Sequence, residues 1–268
     1  MKYCSVDCQK NHRKQHEKAC KKGAAEIREK NLFTQPDGSC YGECPICCLP
    51  LPIDESKWAT TSCCSKMICD GCSRANILRE EELSQYPKCP YCREPLPKSQ
   101  EEAKQNRMER AKVNDPVALF QMGFNCKLER TFEGAFQYYS KAAALGHMMA
   151  HYNLSLMYQK GEGVEKDTKK EVHHLEEAAI GGHHVARYNL GCCEVSNGRY
   201  ERAAKNFIIA ANLGYDRALD EVRVGFEHGY VSKEDYAAAL RGHQAAVDAT
   251  KSEQRDAAEE YYKQQDQW

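Results

Sequence analysis

The chain has 268 residues, a formal net charge of −1, and 41% hydrophobic and 29% charged residues. That size allows about two domains, and the near-zero charge excludes a strong overall field for nucleic acid or an acidic membrane. No apolar run is long enough to span a bilayer, and the polar opening MKYCSVDCQKNHRKQHEK is not a signal peptide, so a reducing, soluble setting, cytoplasmic or nuclear, is expected. Of the 16 cysteines, all but Cys126, Cys192 and Cys193 precede residue 93. In a reducing compartment, cysteines at two-residue gaps are more often metal ligands than disulfides.

Residues 1–30 are charged, carry Cys and His, and lack proline, which predicts a helix. Lys10, Arg13, Lys14, Lys18, Lys21 and Lys22 make the segment basic; a solvated helix face accounts for them better than a nucleic-acid site. The stretch YCSVDCQKNHRKQHEKAC, residues 3–20, resembles the second half of a MYND zinc finger. Tyr3, Cys4, Ser5, Cys8, Gln9, His16 and Cys20 match in type and spacing, while Arg13 stands where the family usually has tryptophan. The family's first four ligands have no counterpart before Cys4. On one straight helix Cys4 and Cys20 would lie about 24 Å apart, so one ion shared by Cys4, Cys8, His16 and Cys20 requires a turn. A half-finger left by a truncated start and a metal-free helix are the alternatives.

Residues 40–97 are rich in Cys and Pro with little periodicity, as in a loop-built metal module. Three C-x-x-C pairs occur: Cys44/Cys47, Cys69/Cys72 and Cys89/Cys92. Two tetrahedral zinc sites need eight ligands, and Cys63 and Cys64 in TSCCSKMICDGC complete the set. A common pattern places a histidine where Lys66 stands, and an ammonium has no lone pair to offer. Adjacent residues of an extended strand point to opposite faces, so Cys63 and Cys64 reach one ion only if the backbone kinks between them. Otherwise Cys40, Cys48 or water fills the place of one. Lys66 is expected beside the ligands, offsetting thiolate charge.

The motifs CPIC (44–47), CC-x4-C-x2-C (63–72) and CPYCREPLP (89–97) resemble a RING finger of the all-cysteine subtype. The resemblance implies interleaved ligation, with Cys44, Cys47, Cys69 and Cys72 on one zinc and Cys63, Cys64, Cys89 and Cys92 on the other. It also implies recruitment of a ubiquitin-conjugating enzyme charged with ubiquitin, through Ile46, Pro90 and the basic Arg93, with no covalent chemistry of its own. Ile77 and Leu78 are weaker candidates for that surface.

Residues 98–114 predict a polar helical linker with i,i+4 charge pairs. From Asp115 the chain repeats: ALFQMGFNC, AHYNLSLMY, ARYNLGCCE and ALDEVRVGF begin at Ala118, Ala150, Ala186 and Ala218. Gly146, Gly182 and Gly214 follow the second half of each unit, where glycine accepts the left-handed conformation that ends a helix. Helix–turn–helix units of this kind bury their apolar stripes by stacking into an α-solenoid. They resemble Sel-1-like repeats, relatives of the tetratricopeptide class, over residues 115–248. The second unit carries the pattern best, in Ala150, Leu154, Tyr158, Gly161, Gly163, Val164 and Asp167. Residues 249–268 are expected to be a capping helix or tail. His173, His174, His183 and His184, as pairs near helix ends, are expected at the surface.

The fold expected is therefore mostly α: a small zinc cross-brace, a helical solenoid and an N-terminal helical fragment. The function implied is a RING-type ubiquitin ligase or adaptor that holds a protein substrate on its repeats. The alternative is a non-catalytic zinc-binding scaffold. Nucleic-acid binding is disfavoured, and no stretch remains for a methyltransferase domain.

Overall fold

The computed structural model describes residues 13–265, with the backbone alone for residues 13–21. It divides into two compact units, Met1–Gln35 and Pro36–Trp268. In the first, α1 (Arg13–Leu32) is polar, with an exposed Lys22–Glu26 pair at 3.9 Å. Cys4 and Cys8 lie outside the described residues. His16 and Cys20 fall in the part of α1 whose side chains are not described.

The second unit opens with the cysteine module. A 3-10 turn at Glu55–Lys57 leads into β1 (Trp58–Thr60), which pairs antiparallel with β2 (Met67–Cys69) in the register Trp58↔Cys69. α2 (Asp70–Glu82) follows directly. The module's core is small: Tyr41, Leu51 and Ile68 are buried among the cysteines, flanked by Trp58, Met67 and Leu96. A segment of this length is marginal on its own core.

α3 (Gln100–Lys112) is capped by Ser99, whose hydroxyl accepts from the Glu102 amide. Four helix pairs then stack: α4 (Pro116–Leu128) with α5 (Phe132–Ala144), α6 (Met148–Lys160) with α7 (Thr168–Ile180), α8 (His184–Ser196) with α9 (Tyr200–Asn212), and α10 (Asp216–Glu227) with α11 (Lys233–Ala249). Asp115, Asp167 and Ser232 cap α4, α7 and α11 through their side chains, which satisfies amide donors that a helix start leaves open. Fully buried Ala142, Ala178 and Ala210 recur at matching places, where small side chains let neighbouring helices approach. Gly146, Gly182 and Gly214 adopt positive φ after each second helix, as the sequence predicts. The interior contains polar ties as well. His151 Nε2 lies 3.1 Å from the Ala143 carbonyl, and at the matching place one unit later the buried Arg187 donates to the Ala179 carbonyl at 2.8 Å.

Residues expected to cap the solenoid form α12 (Glu253–Gln265), which packs against α2 of the cysteine module. The Arg74 guanidinium lies 3.8 Å above the Tyr261 ring, and Lys57 pairs with Glu259 at 2.8 Å. The module also meets the solenoid flank. The Cys40 amide donates to the Gly182 carbonyl, and Arg110 of α3 donates to Ser65 Oγ and the Cys63 carbonyl.

One expectation fails in the solenoid. His183 and His184 are 3% and 4% exposed. The tight turn before α8 points both rings inward: His183 caps that helix through Nδ1, and His184 packs between Tyr41 and Tyr215.

Candidate metal centre

Three short turns build the cysteine sites. In the first, the Cys48 amide donates to the Cys44 carbonyl at 2.8 Å, and in the last the Arg93 amide donates to the Cys89 carbonyl at 2.9 Å. Between them the Ser65 amide donates to the Thr61 carbonyl at 3.0 Å. Each turn ends on a residue of positive φ: Cys48, Arg93 and Ser65. The Thr61–Ser65 stretch is therefore a tight turn, and this is the kink that two adjacent cysteines need. Thr61 stands where the other two turns have their first cysteine.

Two groups of four thiols result. Cys44, Cys47, Cys69 and Cys72 form one and Cys63, Cys64, Cys89 and Cys92 the other, and within each the sulfurs all lie within 4.8 Å of one another. Cys47 and Cys69 are 3.8 Å apart, Cys64 and Cys89 3.8 Å, and Cys63 and Cys92 3.4 Å. The first and third pairs thus meet, and the second and fourth, in criss-cross order along the chain. Cys40 and Cys48 belong to neither group.

The donor chemistry fits a thiophilic metal ion. Burial pushes the Cys44 thiol up, but backbone amides of Cys47, Cys69 and Ile46 outweigh it and leave the group at about 7. Cys89 is likewise lowered: burial opposes ionisation, and the Cys92 and Tyr91 amides more than compensate. In both outer turns the backbone amides thus shift the first cysteine toward the thiolate, the form that ligates metal. Burial raises Cys72 and Cys63, with nearby cysteines adding to the rise, so in each cluster a metal ion has to displace a firmly held proton. Either group can hold a metal ion through four sulfurs.

Three basic side chains lie around the clusters. Lys66 extends its ammonium over the Tyr91 ring, 5.4 Å from the centroid. Arg255 of α12 touches one of the clustered sulfurs, its Nη2 3.3 Å from Cys47 Sγ. Nothing in the local sequence signals this contact across 208 positions. Arg93 folds back onto α2, donating to Asn76 Oδ1 at 3.0 Å and to Glu80 Oε1 at 2.7 Å. The Glu80 side chain is 1% exposed, and its Oε2 has no hydrogen-bond partner among the described residues. Ile46 and Leu78 are exposed, while Ile77 and Pro90 line a cleft with Asn76 and Leu96.

No protein-family model matches the chain, so the RING and MYND resemblances rest on the quoted residues. An uncharacterised protein of Neisseria meningitidis serogroup B is 37% identical over 75 residues, covering 27% of this chain and 16% of that protein. A Sel1 repeat protein from Oxalobacter formigenes superposes with a TM-score of 0.50 at 24% identity, over 65% of this chain and 52% of that one. A protective antigen of uropathogenic Escherichia coli strains, displaying an SLR fold, gives a TM-score of 0.47 at 21% identity over 55% of this chain and 34% of that one. The chain thus spans about half or less of the length of each of these three proteins. The Oxalobacter structure establishes the architecture of the repeats: a mostly helical chain with a Sel1-like solenoid.

Proposed function

We propose that the chain is a zinc-braced adaptor, in which the cysteine module recruits a ubiquitin-conjugating enzyme charged with ubiquitin and the solenoid holds a protein substrate. The observation that carries this reading is the criss-cross grouping of eight cysteines beside an exposed apolar Ile46 and a cleft edged by Pro90. A zinc closed by four protein sulfurs has no open position and acts as structure. The module's contribution is then positional, restricting a bound thioester to reactive orientations. The solenoid supplies a second surface on a rigid stack, suited to a protein partner.

A second reading, a scaffold without ligase activity, is favoured by Arg93. Its guanidinium is engaged by Asn76 and Glu80, whereas the ligase reading needs it to reach ubiquitin. An autoubiquitination assay with the zinc-loaded chain and a panel of conjugating enzymes separates the two. Under the ligase reading Ile46→Ala lowers the rate about tenfold, equivalent to ~1.4 kcal/mol of lost contact, while zinc content is unchanged. Activity indifferent to Ile46→Ala would remove that residue's role. No activity across the panel with two zinc ions bound would select the scaffold.

A further inference from the structure

We propose that Arg255 is the charge partner of the first cysteine group, and that α12 acts as a lid whose docking governs how tightly that group keeps its metal. This rests on the reading of the two groups as metal sites.

Four thiolates around a divalent ion leave two net negative charges in a small, mostly buried space. Cys44, Cys69 and Cys72 are buried, so solvent offsets little of this charge. A guanidinium hydrogen-bonded to a ligand sulfur supplies a compensating charge and fixes the sulfur's orientation. Arg255 is built into the site for that task. It is 9% exposed. Its Nη1 donates to the Pro50 and Thr250 carbonyls, both at 2.7 Å, and its Nη2 reaches the Leu49 carbonyl at 3.2 Å as well as Cys47 Sγ at 3.3 Å. Leu49 and Pro50 belong to the turn that carries Cys44 and Cys47, so one side chain both closes that turn and neutralises its thiolate.

The backbone is shaped for the same contact. A Cβ at Gly71, inside the Cys69–Cys72 pair, would lie 2.9 Å from the Arg255 amide nitrogen. Glycine there admits the start of α12 against α2. The second group is arranged differently. Among the described residues no arginine or lysine side chain hydrogen-bonds to the sulfurs of Cys63, Cys64, Cys89 or Cys92; Arg110 donates to the Cys63 carbonyl instead. The two groups therefore differ in charge compensation, and only the first depends on the far end of the chain.

The test uses the full chain loaded with zinc, and release to a chromogenic chelator is followed for wild type, Arg255→Gln, Arg255→Lys and Gly71→Ala. Glutamine keeps a donor for the carbonyls and removes the charge; lysine keeps the charge. Arg255→Gln is expected to speed loss of one equivalent about tenfold or more, the usual consequence of removing a group that orients a metal ligand, and to leave the other equivalent at the wild-type rate. Gly71→Ala should do the same with Arg255 present, while Arg255→Lys recovers most of the retardation. In the cadmium-113-loaded chain, one of two resonances should shift. Unchanged release in Arg255→Gln, or equal acceleration of both ions, would overturn the inference. So would a lysine variant no better than the glutamine one, which would assign the effect to the carbonyl bonds alone. A wild-type chain holding fewer than two equivalents would instead sink the metal reading itself, and this inference with it.

Discussion

Arg93 carries two opposed demands in one side chain. Its backbone sits at φ 64, in the left-handed region, because the turn around Cys89 requires it there. From that position the guanidinium swings over α2 and covers the buried Glu80 carboxylate. Removing one partner of such a pair leaves a buried charge unmatched, which costs more than the pair itself contributes. Arg93 is itself half exposed, so Arg93→Ala should destabilise the zinc-loaded chain by about 2 kcal/mol, seen as a fall in Tm. Replacing Glu80 by Leu in the same chain should recover most of it. A double variant as unstable as Arg93→Ala would show that Arg93 acts elsewhere. The basic residue after the last cysteine is visible in the sequence. Its commitment to Glu80 is not, because a charge thirteen positions upstream comes within reach only once α2 has packed against the turn.

At the scale of the elements, two glycines in equivalent turns do different work. Gly146 and Gly182 both end a helix at positive φ, 82° and 84°. A Cβ at Gly146 meets nothing within 4 Å, while at Gly182 it would fall 2.4 Å from the Gly38 carbonyl oxygen. Gly146→Ala should therefore cost only the left-handed strain, about 1 kcal/mol. Gly182→Ala should cost at least about twice that and loosen the segment that leads into Cys44. Thermal unfolding and limited proteolysis around residues 36–43 measure the two effects; equal losses would mean that this contact contributes nothing. The glycine period is legible in the sequence because helix termination is a local requirement. The second task of Gly182 is not, since the segment it admits lies far away along the chain.

For the whole molecule, the buried histidines predict an interior that is sensitive to acid. Burial pulls His183 down to about 3, and His147, His184 and His174 each to about 4. The unfolded chain takes up protons at the ordinary histidine value of about 6.5, while the folded chain keeps these rings neutral. Stability is thus full above about pH 6.5, and it falls as the pH drops toward about 4, the range in which the unfolded state binds more protons. His184→Phe removes a buried ring whose Nδ1 has no hydrogen-bond partner among the described residues. It should flatten the fall in Tm between pH 7 and 5, followed by the helical circular dichroism signal. A slope equal to wild type would place the acid sensitivity elsewhere.

Much of the plan is readable without coordinates. Helix periodicity, capping residues, terminating glycines and C-x-x-C spacing are each satisfied within a few residues, so local physical chemistry determines the helical repeats and which cysteines pair as neighbours. Tertiary structure alone decided what depends on distant segments meeting: the kinked turn that turns Cys63 and Cys64 to one group, the inward rotation of His183 and His184, and the return of α12 to place Arg255 beside Cys47. Burial and charge compensation are properties of a neighbourhood, and that neighbourhood exists only after the chain has closed on itself.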